Sequence, residues 1–179
     1  MDKKPIIEEN DEFKRKLMFL SALNREVREK GIEFIVVGGT AVELYSFGKY
    51  QSGDIDIISS GGMSITEVLL DNGFIKKGKD FISEELGIFI EIPERVLSGD
   101  PGRVKTFVFG EDMSVQVIGI EDLIIDRLQS CVFWKYETDC EWAENLIGKY
   151  REEMDLPYLI QRATDEKVAR ELNRILKNG

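Results

Sequence analysis

The sequence predicts an α/β protein, in which helices flank a mixed β-sheet and a helical C-terminal segment follows. Three observations support this fold class. A short apolar run, Phe34-Ile35-Val36-Val37, ends on two glycines and gives way to helical spacing. Two later stretches, around Ile55-Asp56-Ile57 and over 88–92, alternate apolar and polar residues as strands do. From Ile120 onward the apolar period is helical.

The composition suits a globular chain and excludes several chemistries. With 179 residues, 42% of them hydrophobic, the chain can bury a core as one domain, or as one domain with an appendage. The net charge of -10 gives no overall positive field, so a polynucleotide partner would need a local basic patch. Histidine is absent, which rules out catalytic triads, Cys-His pairs, His-ligated zinc and imidazole proton shuttles.

The apolar runs and the N-terminus predict a cytoplasmic location. No apolar run approaches the roughly 18 residues of a membrane helix, and no secretory signal follows the N-terminal Met1. An isolated cysteine pair in a cytosolic chain is more often two buried thiols than a disulfide, and we expect this of Cys131 and Cys140.

The first half of the chain predicts two helices around a strand. Helical spacing runs from about Asp11 to Lys30, and Gly31 ends that helix. The continuous apolar run 34–37 predicts a strand that is buried on both faces. Helical spacing then returns from Thr40 to Phe47.

Further elements follow in order. We expect a strand at Ile55 and Ile57 that ends at Ser59-Ser60-Gly61-Gly62, and then a helix from Ile65 to Leu70 that Asn72-Gly73 stops. A strand from Ile88 to Ile92 follows. A hairpin comes after it, formed by Val104–Phe109 and Met113–Ile118 around Gly110-Glu111-Asp112. Helical stretches come next, at Leu123–Leu128, Trp142–Tyr150, Leu156–Arg162 and Val168–Leu176. We therefore expect an α/β core over 1–118 and a helical segment over 119–179 that packs on the sheet or on a partner protein.

Asp54 and Asp56 are the most informative residues. They alternate with Ile55 and Ile57, so their side chains share one face of a strand, with Cα atoms about 6.6 Å apart. Two carboxylates fixed side by side repel one another unless a cation lies between them. A hard divalent ion with a preference for oxygen, Mg²⁺ or Mn²⁺, is the expected occupant. The alternative is a solvated strand edge, although aspartate is depleted in strands.

Gly38-Gly39 joins a strand directly to a helix. The N–H groups at such a helix start and the positive end of the helix dipole form an anion site, and glycine lets a phosphate approach closely. Thr40 and Ser52 could add hydroxyl donors. The alternative is a tight turn that needs glycine only for its backbone angles.

Both motifs lie in one stretch, GGTAVELYSFGKYQSGDIDI (38–57), which resembles the signature of the polymerase-beta-like nucleotidyltransferase superfamily. The resemblance implies a nucleoside triphosphate at Gly38-Gly39, metal held by Asp54 and Asp56, and a third carboxylate on a neighbouring strand. Glu91 suits that place, because alternation in Ile-Phe-Ile-Glu-Ile puts it opposite the core face. A solvated glutamate on a half-exposed strand is the alternative.

The chain most resembles the stand-alone AbiEii toxin-like and related prokaryotic nucleotidyltransferases. These proteins share an apolar-rich helix like that at 120–128, followed by a helical tail. The resemblance implies that Arg127 reaches the phosphates and that Asp139 is a further acidic position. Many relatives carry an arginine shortly before Asp-x-Asp. This chain has Lys49 there, so Lys49 makes that contact or the contact is missing.

The resemblance implies metal-dependent transfer of a nucleoside monophosphate from a nucleoside triphosphate to a hydroxyl, with release of pyrophosphate. The acceptor could be an RNA end such as that of a tRNA, a protein, or a small molecule. Two other functions stay open. The chain could bind nucleotides without turnover, or it could be a toxin–antitoxin-like interaction protein whose acidic face and helical tail bind a partner. The sequence also leaves a homodimer open.

Overall fold

A computed structural model describes residues 1–60, 65–93, 96–110 and 113–178 of the chain. In chain order, the elements are α1 (Lys4–Glu8), α2 (Glu12–Glu29), β1 (Glu33–Val36), α3 (Gly38–Tyr45), β2 (Ile55–Ser60), α4 (Ile65–Asp71), β3 (Ile75–Lys77), β4 (Asp80–Ser83), β5 (Ile88–Glu91), β6 (Lys105–Gly110), β7 (Met113–Val117), α5 (Ile120–Gln129), α6 (Glu137–Tyr150), α7 (Leu156–Asp165) and α8 (Ala169–Asn178). A 3-10 turn at Pro101–Arg103 and a π-helical turn at Ser130–Trp134 complete the order.

The strands form one seven-stranded mixed sheet in the order β3-β4-β5-β2-β1-β7-β6. Strand β1 is antiparallel to β2 and parallel to β7, while β2 is parallel to β5. The remaining neighbours, β3 with β4, β4 with β5, and β6 with β7, are antiparallel. The α/β fold class with a mixed sheet is therefore confirmed.

The predicted helix and strand positions agree closely with the structure in the first half of the chain. Helix α2 begins after Asp11, whose side chain accepts a hydrogen bond from the Lys14 amide, and it ends before Gly31, whose φ is +72°. Helix α3 begins at Gly38, two residues earlier than expected. The predicted turn residues Gly61-Gly62 and Glu111-Asp112 lie outside the described residues.

Three details of the prediction need correction. Strand β1 buries Phe34 and Val36 fully but Ile35 only in part, so the expectation of burial on both faces is wrong. The short helix α1 and the hairpin of β3 and β4 were not expected. All three residues of β3 are exposed, so its sequence carries no apolar alternation that could reveal a strand.

The C-terminal helices pack on one another and on α3. Helix α5 contacts α3, α6 and α7, and α7 contacts α8. The Lys149 ammonium and the Tyr150 hydroxyl both donate to the Tyr45 carbonyl at 2.7 Å, so the end of α6 satisfies the C-terminus of α3. Among the helices of the described ranges, none has the length and apolar character needed to cross a bilayer.

Cys131 and Cys140 form a disulfide, so the expectation of two thiols is wrong. The chain reverses between them through the π-helical turn and through Lys135, whose φ of +61° is left-handed. This reversal brings the two Cα atoms to 4.9 Å, within the range that a disulfide requires. Sequence spacing alone could not show the reversal, because it depends on a π-helical turn and on a non-glycine residue with a positive φ.

Candidate active site

Three carboxylates meet where β2 begins and β5 ends. The parallel register of these strands places Asp56 beside Glu91, and Asp54 lies just before β2. One oxygen atom from each of the three residues lies within 4.8 Å of the other two. Strand alternation puts Asp54 and Asp56 on one side of the strand, and the pairing of β2 with β5 supplies Glu91. The structure thus brings together the three residues that the sequence suggested as ligands.

The glycine turn packs directly against this cluster. Gly38 has a φ of +57°, and a Cβ atom added there would lie 2.5 Å from the Asp56 Oδ2 atom. The next residue, Gly39, donates its amide N–H to the same Oδ2 atom at 2.9 Å. Gly38 is therefore required both for its left-handed backbone and for the close approach of Asp56.

Two of the expected phosphate donors have other partners in this structure. The Thr40 hydroxyl donates to the Asp54 carbonyl at 2.8 Å and accepts from the Asp56 amide at 3.1 Å. The Ser52 hydroxyl donates to the Asp54 carbonyl at 2.7 Å. Both hydroxyls therefore fix the backbone that carries the two aspartates.

A buried ion pair supports the same turn from behind. Glu43 of α3 is 2% exposed, and its carboxylate accepts from the Lys16 ammonium at 2.7 Å and from the Ser52 amide at 3.3 Å. Lys16 also donates to the Ser52 carbonyl. Neither Lys16 nor Glu43 was singled out from the sequence, since a lysine and a glutamate in two separate helices carry no local signal of their contact.

The electrostatics of the cluster are unfavourable without a cation. Burial, and after it the charges of Asp54 and Glu91, raise the pKa of Asp56 to about 6, although hydrogen bonds from the Gly39 and Thr40 backbone act to lower it. A carboxyl group with such a pKa is held in a place where its charged form is costly. Negative charge concentrated in this way is the electrostatic environment that attracts a divalent ion.

Lys79 is a functional candidate that the sequence did not reveal. It lies between β3 and β4, and its ammonium lies 2.7 Å from the Glu91 Oε1 atom. Its position depends on the hairpin of two short polar strands that was itself missed. The only sequence signal was the turn-like stretch Lys77-Gly78-Lys79.

Arg127 reaches the cleft from α5, and its guanidinium is already paired. It donates to Asp126 Oδ2 at 2.6 Å and to Asp139 Oδ1 at 2.9 Å. Its side chain is 13% exposed. Burial lowers the pKa of Arg127, but the carboxylates of Asp126 and Asp139 reverse that effect and raise it, so the residue stays cationic.

Lys49 does not join the acidic cluster. It is exposed and lies near Lys149, whose pKa is lowered first by burial and then by the charge of Lys49. Lys149 in turn binds the Tyr45 carbonyl at the C-terminal end of α3. That end is about 12 Å from the glycine turn, because α3 has eight residues.

Two aromatic side chains also border the site. The Tyr50 hydroxyl would lie 3.4 Å from a Cβ atom added at Gly39. The Tyr50 ring meets the Trp142 ring edge-on, at 5.3 Å between centroids. Burial raises the pKa of Tyr50, which keeps its hydroxyl protonated beside the carboxylates. This pair was not predicted, because it joins a loop to a helix far along the chain.

Part of this site lines a cleft of about 510 Å³. Its lining includes Gly38, Asp56, Lys79, Glu91, Asp126 and Arg127. A cleft of this volume suits a small ligand. Its described lining residues include two cations, Lys79 and Arg127, and the carboxylates of Asp56, Glu91 and Asp126.

Comparison with known proteins supports the fold. The chain matches no protein-family model and no curated protein sequence. It is similar to the crystal structure of an antigenic nucleotidyltransferase-like protein from Paracoccidioides brasiliensis, with 15% identity, a TM-score of 0.60, and coverage of 94% of this chain and 93% of that one. The solution structure of the antibiotic-resistance factor ANT(2'')-Ia gives 16% identity and a TM-score of 0.44, covering 85% of this chain and 94% of that one.

The likeness to the Paracoccidioides protein extends over nearly the whole of both chains. The chain therefore has a nucleotidyltransferase fold.

Proposed function

We propose that the protein is a metal-dependent nucleotidyltransferase that moves a nucleoside monophosphate from a nucleoside triphosphate to an acceptor hydroxyl. The observation that carries the proposal is the meeting of Asp54, Asp56 and Glu91 within 4.8 Å beside the start of α3. Fold alone does not define function, so the proposal depends on this site.

The donor set fits Mg²⁺ or Mn²⁺, since all three side chains offer carboxylate oxygens. Asp54 and Asp56 would hold the ion that also binds the triphosphate, and Glu91 would complete a second position. When bound, such ions neutralise charge on the phosphates and on the attacking oxygen. The raised pKa of Asp56 supports this assignment, because a bound cation would offset both the burial of the carboxylate and the repulsion from Asp54 and Glu91 that raise it.

The other residues of the cleft would bind and orient the nucleotide. The first turn of α3, at Gly38-Gly39, and the ammonium of Lys79 would meet the triphosphate, with Arg127 adding positive charge from α5. Thr40 and Ser52 would act indirectly, by fixing the backbone of Asp54 and Asp56.

In the reaction, the acceptor oxygen forms a bond to the α-phosphorus, and the bond from that phosphorus to the oxygen bridging the α and β phosphates breaks. Pyrophosphate leaves with the electron pair of the broken bond. Glu91, with its side chain 26% exposed at the cleft, would accept the proton of the acceptor hydroxyl.

Label transfer from an α-³²P-labelled nucleoside triphosphate tests this proposal. We expect Mg²⁺-dependent labelling of an acceptor by the wild type, and at least about a hundredfold loss in Asp54→Asn with Asp56→Asn. Asp71→Asn with Glu29→Gln is the matched control, because it removes the same charge from exposed positions on α4 and α2. Unchanged labelling by the Asp54 and Asp56 variant would contradict the proposal.

A thermal-shift screen of the four ribonucleoside triphosphates, with and without Mg²⁺, separates binding from turnover. A ligand at 100 times its Kd should stabilise the protein by about 2.7 kcal/mol. Stabilisation without any label transfer would instead support a nucleotide-binding module that has no turnover.

A further inference from the structure

A second groove, remote in sequence from the carboxylates, gathers positive charge. It has a volume of about 850 Å³ and lies between α8 and the segment that the disulfide closes. Among the described residues that line it, five are cationic and one is acidic: Lys135, Lys167, Arg170, Arg174 and Lys177, with Glu171. In a chain with a net charge of -10, this groove is a local site of positive potential that would attract an anionic partner.

The cations form a stripe along the exposed side of α8. Arg170, Arg174 and Lys177 follow one another at spacings of four and three residues, which places them on one face of a helix. The opposite face buries Leu172 and Ile175 against the helical segment. The stripe is therefore fixed in space by the packing of the helix that carries it.

Most of these charges have no ion-pair partner among the described residues. Arg174 pairs with Glu171 at 2.8 Å and with Glu144 at 3.8 Å. Across the ranges that the structure describes, no ion pair is found for Lys135, Lys167, Arg170 or Lys177. All four are exposed, so they remain available to an anionic ligand.

Exposed aromatic residues are the chain neighbours of one cation that lines the groove. Phe133, Trp134 and Tyr136 are 52%, 71% and 60% exposed, and they surround Lys135, which lines the groove. The disulfide between Cys131 and Cys140 closes the loop that holds them. Solvent-exposed aromatic rings close in sequence to a lysine of a cationic groove are typical of a surface that stacks nucleobases and contacts phosphates.

We propose that this groove binds the single-stranded end of an RNA whose terminal hydroxyl is the acceptor of the transferred nucleotide; the assignment of the acceptor rests on the proposed function. The cations of α8 would follow the phosphates, and the rings at 133–136 would stack unpaired bases. An acidic protein would use the cations but would give the adjacent rings no bases to stack with, so the observations favour RNA.

The ion pair of Arg127 with Asp139 joins a helix that lines the cleft to a segment that lines the groove. Cys140 lines the groove, and its neighbour Asp139 binds the guanidinium of Arg127, which lines the cleft. The segment from Arg127 to Cys140 therefore borders both cavities. An RNA held along α8 could extend its end past this segment toward the carboxylates.

Fluorescence anisotropy of a 5′-labelled, 12-nucleotide single-stranded RNA tests the binding surface. We expect Lys167→Glu with Arg170→Glu and Lys177→Glu to weaken binding at least tenfold and to flatten its salt dependence, since each lost phosphate contact lowers the slope by about 0.7. The matched control is Lys14→Glu with Arg28→Glu and Lys30→Glu, which reverses three exposed charges on and next to α2. Equal weakening by both triple variants would overturn the proposal, as would an absence of binding by the wild type.

The aromatic residues give an independent measurement. Trp134→Ala with Tyr136→Ala leaves the charge unchanged, and we expect it to weaken RNA binding about fivefold or more, because base stacking contributes about that much per base. Binding unchanged by this substitution would contradict stacking. Displacement of the RNA by poly-glutamate at equal concentrations of charge would also overturn the proposal, in favour of an acidic protein partner.

The active-site variant separates this inference from the proposed function. Asp54→Asn with Asp56→Asn should bind the RNA as the wild type does but transfer no label to it. Label that passes from the triphosphate to another acceptor, but not to RNA, would overturn RNA as the acceptor and leave nucleotidyl transfer standing. RNA bound through the groove with no label transfer to any acceptor would refute the proposed function and, with it, RNA as the acceptor, while the groove would remain an RNA-binding surface.

Discussion

Asp56 is held in the site through its side chain, its backbone and its strand pairing. Its side chain accepts a hydrogen bond from the Gly39 amide, its backbone amide donates to Thr40, and its strand partner is Glu91. These contacts hold the carboxylate in place although its charge is repelled by two others. A residue held against its electrostatic preference in this way is what a metal ligand requires before the metal binds.

Gly38→Ala should damage both the backbone and the site. The φ of +57° is left-handed, and an added Cβ atom would lie 2.5 Å from Asp56 Oδ2. We expect a loss of more than about 2 kcal/mol in the free energy of unfolding, of which about 1–2 kcal/mol comes from the backbone alone. Urea denaturation measures this loss, and the Mg²⁺-dependent nucleotide thermal shift should disappear as well.

Gly87→Ala is the control for that substitution. Gly87 has a similar φ of +62°, but an added Cβ atom there would meet nothing within 4 Å. The Gly87→Ala variant should lose only the backbone contribution to the free energy of unfolding, about 1–2 kcal/mol, and should keep the Mg²⁺-dependent nucleotide thermal shift. If both variants lose the same stability and both keep the shift, Gly38 has no role in placing Asp56.

At the scale of elements, the sequence predicted those with a regular burial pattern. Strand β5 alternates buried and exposed residues over Ile88–Glu91, and this alternation is the signal that placed Glu91 opposite the core. Strand β3 buries none of its three residues, so it has no such pattern. Its absence from the prediction also removed Lys79 from the candidate site.

Contacts between elements could not be predicted in the same way. Arg127 was placed on the right helix, but its pairing with Asp139 depends on how α5 and α6 are joined. Lys49 follows Phe47 and Gly48, whose φ values of +55° and +77° turn the chain at the far end of α3. Such left-handed turns decide where a side chain lies, and a non-glycine residue such as Phe47 gives little sign of one.

The disulfide should stabilise the connection between α5 and α6. Its cysteines are nine residues apart, and closing a loop of that length removes unfolded-state entropy worth about 2.5 kcal/mol. We expect Cys131→Ser with Cys140→Ser to lower the free energy of unfolding by about that amount, measured by urea denaturation of protein purified without reductant. The reductant dithiothreitol should destabilise the wild type equally and leave the double variant unchanged. A wild type that is insensitive to dithiothreitol would contradict this prediction.

Across the whole molecule, the acidic cluster and the cationic groove occupy different places. The acidic residues that dominate the net charge of -10 include the three at the cleft, whereas five cations line the groove beside α8. A uniformly acidic surface would repel a nucleic acid from every direction. A separate cationic groove lets an acidic protein attract a polyanion at one place while reserving its carboxylates for metal.

The stability of the whole molecule should depend on pH through Asp56. Its pKa is raised from 3.8 to about 6 in the folded protein, so between these values the folded state binds more protons than the unfolded state. The contribution of Asp56 to the free energy of unfolding therefore increases as the pH falls below about 6, and it is close to zero at higher pH. From pH 7.5 to pH 5 we expect a gain of about 1.4 kcal/mol in the metal-free protein.

Asp56→Asn isolates that contribution. The variant has no carboxyl group to titrate at this position. Between pH 7.5 and pH 5 in EDTA, the free energy of unfolding of the wild type should therefore rise by about 1.4 kcal/mol relative to that of the variant. Urea denaturation of both proteins at the two pH values measures the difference. Added Mg²⁺ should stabilise the wild type more at pH 7.5 than at pH 5, because protons compete with the cation for the same carboxylate. Equal pH dependence in the two proteins would show that Asp56 keeps an ordinary pKa, and the electrostatic support for a cation at this cluster would then be lost.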